Sequence, residues 1–241
     1  MEPFRFKHFQ LSHEASTQRI GTDSVLLAAL VPLSDVHSVL DVGCGCGVIG
    51  FCIADRLRRA GAGNSSVTGI DVDAASVAEA RANADNFAGK TPVAFCFQQV
   101  ALQGFSNREF DLIVSNPPYF VSSLKPADER RRLARHSDDA LPFSDFIRHT
   151  KQLLSPKGKF FVILPQTESI EFETLAKEHS LFLSTKIEIR PTPSKSINRV
   201  ILGFSSDLPS KIFTQEICIR DGGNDFSELY RDITRDFYLD F

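Results

Sequence analysis

At residues 40–47 the chain reads Leu40-Asp41-Val42-Gly43-Cys44-Gly45-Cys46-Gly47, where three glycines follow a short apolar run. The pattern predicts a buried strand at 38–42 and a helix at 48–60. Glycines between such elements allow a sharp turn and let the backbone approach a ligand at the start of the helix. The stretch therefore predicts the first strand, loop and helix of a nucleotide-binding α/β fold.

Strand-like and helix-like segments alternate between residues 38 and 204. They predict further strands at 66–70, 93–97, 110–115, 159–164, 182–189 and 200–204, and helices at 74–87, 142–153 and 168–179. Only a short connection separates the last two strands, which indicates an antiparallel hairpin. We therefore expect an α/β fold with a seven-stranded, mostly parallel sheet, an antiparallel last strand and helices on both faces.

The length of 241 residues fits one domain covering 1–241. Residues 1–37 are expected to form an N-terminal lid or substrate segment, and residues 205–241 a C-terminal extension. No apolar run approaches membrane-spanning length, and charged residues interrupt the segment Glu2-Pro3-Phe4-Arg5-Phe6-Lys7 that follows Met1, unlike an apolar leader. These features predict a cytoplasmic protein that does not bind membranes.

Composition limits the partners of the chain. Its five cysteines form no pair with the spacing of a zinc site, so no metal is predicted. The formal net charge of −3 does not favour broad electrostatic binding of nucleic acid. An RNA substrate would need local basic clusters. No obligate protein partner is evident from the sequence.

Two acidic residues define the expected ligand of the glycine loop. Asp41 precedes the glycines, where it suits the ammonium of a methionine moiety better than a pyrophosphate. Asp71 ends the second strand, where it can accept hydrogen bonds from both ribose hydroxyls. Asp73 is better explained as the N-cap of the next helix. Asp41, together with the Asn116 motif further along the chain, favours S-adenosyl-L-methionine over a nicotinamide dinucleotide.

A second motif, Ser115-Asn116-Pro117-Pro118-Tyr119, follows the strand at 110–115. The carbonyl oxygens of the Asn116 side chain and the Pro117 backbone can accept the two hydrogens of an exocyclic amine. They would favour a pyramidal nitrogen and stabilise the positive charge that develops during methyl transfer. The prolines fix the backbone direction, and Tyr119 can stack on a base. The alternative interpretation is a rigid turn at a strand end.

These residues resemble the NPPY group of class I, Rossmann-like methyltransferases, and most closely the bacterial tRNA1(Val) (adenine-37-N6)-methyltransferase family. The resemblance covers nearly the whole chain and also rests on residues 4–9 with 19–27, on 131–136 and on 230–239. It implies transfer of a methyl group from S-adenosyl-L-methionine to N6 of an adenosine in the anticodon loop of tRNA. The expected target is adenosine 37, next to the anticodon of tRNA1(Val).

The motifs and the resemblance together give the expected site residues. The predicted catalytic set is Asn116, Pro117, Pro118 and Tyr119. The predicted cofactor ligands are Gly21, Thr22, Asp41, Gly43, Gly45, Gly47, Asp71, Val72, Ala101 and Asn116. Many relatives carry an acidic residue where this chain has Ala101, so only the backbone of Ala101 could contribute. Residues 21–23 are expected to form a lid over the cofactor.

Basic residues near the motifs are candidates for RNA phosphate contacts. They are Lys7, Arg19, Arg131, Arg135 and His136. Acidic residues lie close to these arginines in the sequence. An exposed helix face that does not bind RNA therefore explains the arginines equally well.

Two other functions remain open at this point. A release-factor glutamine N5-methyltransferase could use the same site, because the primary amide of its substrate glutamine has the same geometry. Such enzymes, however, normally carry a helical N-terminal domain. A SAM-binding RNA-binding protein without catalysis is the second alternative, and the intact residues 116–119 argue against it.

Overall fold

The computed structural model describes residues 2–16, 19–87, 92–106, 109–117, 141–223 and 225–241. The strands are β1 Phe4–Arg5, β2 Gln10–Leu11, β3 Ser38–Val42, β4 Ser66–Asp71, β5 Ala94–Gln99, β6 Phe110–Ser115, β7 Leu154–Pro165, β8 Phe182–Arg190, β9 Arg199–Ser205 and β10 Phe213–Cys218. The helices are α1 Thr22–Leu30, α2 Val48–Arg59, α3 Ala74–Phe87, α4 Phe143–Gln152, α5 Gln166–Glu178 and α6 Glu228–Thr234, with a 3-10 turn at Leu102–Gly104.

Eight strands form the central sheet, in the order β10-β8-β9-β7-β6-β3-β4-β5. Strand β9 runs antiparallel to both of its neighbours, and all other pairs are parallel. The predicted fold class and the antiparallel hairpin of β8 and β9 are confirmed. The predicted count of seven strands is wrong, because β10 adds an eighth strand alongside β8.

Side chains that alternate along the central strands feed two separate cores. Val39 belongs to the core shared with α2, and the adjacent Leu40 belongs to the core shared with α4 and α5. Phe51 anchors α2 in the first core, and Phe172 anchors α5 in the second. Helices therefore cover both faces of the sheet, as predicted, and each core buries apolar surface that stabilises the fold.

The segments that flank the sheet pack against each other. The amide of Lys7 donates to the carbonyl of Phe237 over 2.9 Å, and the rings of Phe6 and Phe237 meet edge to face. Helix α1, which lies outside the predicted elements, has Val25 and the next three residues fully buried. Within the described part of the chain, no helix has the length and apolar character needed to cross a membrane.

The sheet topology gathers the candidate residues at one edge. Strands β3, β4, β5 and β6 are mutually parallel, so their carboxyl ends point the same way. Asp71 is the last residue of β4, and Asn116 follows the last residue of β6. In open α/β sheets, ligands bind in the crevice outside the carboxyl ends of the strands.

Candidate active site

The glycine loop after β3 is fixed to the end of β4. The amides of Gly43 and Cys44 both donate to the carbonyl of Ile70, at 2.8 and 3.1 Å. Gly47 has a φ of 87° and directly precedes α2, and a Cβ there would stand 2.7 Å from the Phe51 ring. Glycine is therefore required at position 47 both for its backbone conformation and for space.

Asp71 joins this loop to the turn that follows β4. Its Oδ2 accepts from the Gly45 amide at 2.8 Å, and its Oδ1 accepts from the Asp73 amide at 3.0 Å. Burial raises the pKa of Asp71, and the two amides oppose that rise. A carboxylate oxygen can accept more than one hydrogen bond, so both oxygens can still receive ribose hydroxyls.

Asp73 has the separate role expected for it. Its Oδ2 accepts from the amide of Ser76 at 2.9 Å, the geometry of an N-cap on α3. The prediction of an N-cap at Asp73 is therefore confirmed.

Asp41 is fully buried beneath the glycine loop. Its Oδ2 accepts from the Gly50 amide at 3.0 Å, but its buried Oδ1 has no hydrogen-bond partner among the described residues. Burial raises its pKa to about 7, the Gly50 amide opposes that rise, and the nearby charge of Asp71 adds to it. A buried carboxylate oxygen without a donor is costly. The residue therefore fits a ligand that brings a positive charge.

Val72 and Ala101 lie beyond the ends of β4 and β5. The Val72 side chain is 68% exposed although it is apolar, so it offers a surface for a flat ring. The amide of Val100 donates to the carbonyl of Asp71 over 3.0 Å and ties the two strand ends together. Ala101 caps the 3-10 turn, where its carbonyl accepts from Gly104.

Asn116 lies next to the end of β3 and is 5% exposed. The hydroxyl of the preceding Ser115 donates to the carbonyl of Val42 at 2.8 Å, which joins the second motif to the first. The Asn116 amide nitrogen donates to Ser24 Oγ at 3.0 Å. Pro117 is buried, and Pro118 and Tyr119 lie outside the described residues.

The predicted lid residues form the start of α1. Gly21 is its N-cap, and the helix packs against α6. Asp23 accepts from Arg199 Nε at 2.8 Å. Helix α1 is therefore attached to α6 and β9, and it meets the second motif through Ser24.

Two residues of α3 that the sequence patterns do not reveal hold residues 12–16, here called the N-terminal strap. Glu79 accepts from the amides of Glu14 at 2.7 Å and Ser16 at 3.0 Å. Asn83 Nδ2 donates to the carbonyls of Ser12 and Cys46, at 2.9 and 3.1 Å. Because Asn83 bonds both the strap and Cys46 of the glycine loop, the strap lies beside the loop. Contacts that join residues more than 60 positions apart leave no signal in a single sequence.

The candidate RNA contacts are only partly described. Lys7 Nζ donates to the main-chain oxygen of Phe241, and Arg19 is exposed. Arg131, Arg135 and His136 lie outside the described residues. The RNA contacts therefore stay predictions.

Metal ligands are not assembled in the part of the chain that the structure describes, which contains no group of three or more His, Cys, Asp or Glu placed to hold an ion. The thiols of Cys44 and Cys46 are buried, and burial raises the pKa of both. Both side chains pack into the apolar core beneath the loop.

The residues fit S-adenosylmethionine. Asp41 has a buried oxygen in need of a cation, Asp71 can receive ribose hydroxyls, and Val72 offers an apolar surface for the adenine. Asn116 stands at the adjacent strand end, beside the end of β3. The geometry can therefore bring a methyl donor and an amine acceptor to one edge of the sheet.

Comparison with known proteins agrees with this geometry. Residues 12–180 match the model of the methyltransferase small domain family. The tRNA1(Val) (adenine(37)-N6)-methyltransferase of Pseudoalteromonas translucida is 35% identical, over 99% of both chains. The protein of the same name from Flavobacterium johnsoniae is 34% identical, over 98% of this chain and 99% of its own.

A solved structure supports the fold alone. The crystal structure of a predicted O-methyltransferase from Agrobacterium tumefaciens has a TM-score of 0.68 at 19% identity, over 89% of this chain and 96% of its own. The family model and the full-length relatives together place the sequence: the chain belongs to the methyltransferase small domain family and, within it, to the tRNA1(Val) (adenine(37)-N6)-methyltransferases.

Proposed function

We propose that the protein transfers a methyl group from S-adenosylmethionine to N6 of an adenosine in tRNA, adenosine 37 next to the anticodon of tRNA1(Val). The observation that carries the proposal is the position of Asn116, buried at the end of β6 and joined through Ser115 to the end of β3. Relatives named for this reaction align over nearly their whole length, which supports the same substrate.

The cofactor would be held by residues of three strand ends. Asp41 would receive its ammonium, the turn at Gly43, Gly45 and Gly47 would pass close to it, and Asp71 would receive the ribose. Gly21 and Thr22, at the start of α1, and Ala101 are proposed as further contacts. When bound, S-adenosylmethionine supplies a methyl group that is already activated by the sulfonium.

The protein supplies orientation and electrostatic stabilisation to the transfer. The Asn116 side-chain carbonyl and the Pro117 carbonyl would accept the two hydrogens of the adenine amine, whose lone pair is otherwise delocalised into the ring. Fixed acceptors stabilise the positive charge that develops on the nitrogen. Holding both reactants in register contributes the rest of the acceleration. No strong general base is required, because the methylated nitrogen loses its proton readily.

A loop adenosine suits such a pocket. The target base must leave its stack, and this costs less for a loop nucleotide than for one in a duplex. Tyr119 is proposed to stack on the base, and Lys7, Arg19, Arg131, Arg135 and His136 to contact phosphates. A tRNA substrate also agrees with the cytoplasmic location, which stays a prediction.

The two alternatives are less well supported. Release-factor glutamine methylation would use the same Asn116 geometry, but the relatives that align over nearly their whole length are named for tRNA. A non-catalytic binder would not need a carboxamide buried and oriented at the strand end.

Nucleoside analysis tests the proposal. Purified protein is incubated with methyl-labelled S-adenosylmethionine and total unmodified tRNA, and in a parallel reaction with release factor. We expect labelled N6-methyladenosine from tRNA, and a rate at least about a hundredfold lower from the Asn116→Ala variant although it still binds the cofactor. Label in a release-factor glutamine would favour the first alternative. Cofactor binding without label in either substrate would favour the second.

A further inference from the structure

We propose that Ser24 is a positioning residue for methyl transfer, because its hydroxyl holds the Asn116 carboxamide in place beside the substrate. The inference rests on the proposed function, in which the Asn116 carbonyl accepts from the adenine amine. Ser24 is outside the predicted site residues, and it lies 92 positions from Asn116 in the chain.

The contact between the two side chains is buried. Ser24 is 7% exposed and Asn116 is 5% exposed, and the amide nitrogen donates to the hydroxyl oxygen at 3.0 Å. A buried polar pair of this kind is costly to break, because each group then loses a partner that little water can replace.

The carboxamide needs a partner to hold it in one orientation. The terminal torsion of asparagine is broad, so the side chain alone does not select between its nitrogen end and its oxygen end. Because Ser24 Oγ accepts from the nitrogen, the carbonyl oxygen lies on the other side of the amide. A reversed carboxamide would present hydrogens to the adenine amine, which also carries hydrogens.

Helix α1 gives Ser24 a fixed position. Its first turn is attached by Asp23 to Arg199 at 2.8 Å, and the helix packs against α6. The residues after Ser24 are fully buried in the core. A positioning side chain is useful when its own support is rigid, and α1 meets that requirement.

Replacement of Ser24 tests the inference. Ser24→Ala removes the acceptor, and Ser24→Cys keeps a similar shape with a weak acceptor. We expect kcat for tRNA methylation to fall roughly tenfold to a hundredfold in both, as when an outer partner of a reacting group is lost. The Kd for S-adenosylmethionine and the KM for tRNA should stay within about twofold. Ser65→Ala is the matched control, because this buried serine lies before β4, at the opposite edge of the sheet.

A double-mutant cycle separates orientation from general stability. If Ser24 acts through Asn116, Ser24→Ala has little further effect on kcat in the Asn116→Ala background. Equal losses in both backgrounds would overturn the inference. A Ser24→Ala or Ser24→Cys enzyme with unchanged kcat, beside an Asn116→Ala enzyme with strongly reduced kcat, would overturn it and leave the proposed function standing. Full turnover by Asn116→Ala would overturn both.

Discussion

Among the described residues, only one of the two carboxylate oxygens of Asp41 accepts a hydrogen bond. Oδ2 accepts from the Gly50 amide at 3.0 Å, and the buried Oδ1 has no partner there. The Gly50 amide belongs to the first turn of α2, where a negative charge is favoured. The same burial raises the pKa of Asp41 to about 7. A cation bound beside Asp41 is therefore stabilised more than it would be beside an exposed carboxylate.

Cofactor affinity should depend on pH through Asp41. Below a pKa of about 7 the free protein holds a proton on this carboxyl, and binding of an ammonium requires its release. The Kd for S-adenosylmethionine should therefore rise as the pH falls from 7 to 5.5, approaching about tenfold per pH unit. Calorimetric titration across this range measures it, and Asp41→Asn should give a weaker Kd with little slope. A flat profile for the unchanged protein would contradict this role of Asp41.

Asp71 should matter for cofactor binding more than its neighbour Asp73. Hydrogen bonds to a charged group contribute roughly 1.5–3 kcal/mol, so Asp71→Ala should weaken the cofactor Kd by about tenfold to a hundredfold. Asp73→Ala removes the N-cap of α3 and should cost about 1 kcal/mol of unfolding free energy, with the Kd nearly unchanged. Equal effects on the Kd would show that Asp71 does not contact the ligand.

The N-terminal strap should loosen when Glu79 changes. Glutamine at position 79 offers one acceptor oxygen to the amides of residues 14–16 and turns an NH2 group toward another donor. We expect Glu79→Gln to cost about 1–3 kcal/mol of local stability. Hydrogen exchange at those three amides measures the loss, with the exposed Glu171→Gln as the matched control. Unchanged protection would mean that the strap is held by other contacts.

Two glycines with similar backbone angles should respond differently to alanine. Gly47 and Gly61 have φ values of 87° and 72°, but only at Gly47 would a Cβ meet a ring, that of Phe51. Gly61→Ala should cost about 1–2 kcal/mol of unfolding free energy for the backbone alone. Gly47→Ala should cost roughly 1–3 kcal/mol more, because Phe51 is fully buried. Urea denaturation compares the two, and equal midpoints would show that the Phe51 ring yields.

The sequence was a good guide where one physical rule dominates. The bounds of β3, β6 and α3 agree with prediction, because these segments have clear apolar patterns and strong stop signals in glycine, proline or aspartate. Helix α1 escaped prediction because it is buried on most sides, so its apolar residues show no 3.6-residue period. Strand β10 escaped because it is an edge strand in which only Ile217 is fully buried.

Some residues of the candidate site could be predicted from the sequence, and others could not. Asp41, Asp71 and Asn116 could be placed from the sequence, because each adjoins a predicted strand end and parallel strands end at one edge. Ser24 and Glu79 could not, because their roles depend on contacts with distant segments. The polarity of the Asn116 amide also becomes visible only when α1 is in place.

Position-specific methylation of one tRNA tests the account most directly. Two transcripts of tRNA1(Val), with adenosine or guanosine at position 37, are incubated with the protein and methyl-labelled S-adenosylmethionine. We expect label only in the first, recovered as N6-methyladenosine. Comparable label in both transcripts, or none in the first while the cofactor binds, would contradict it.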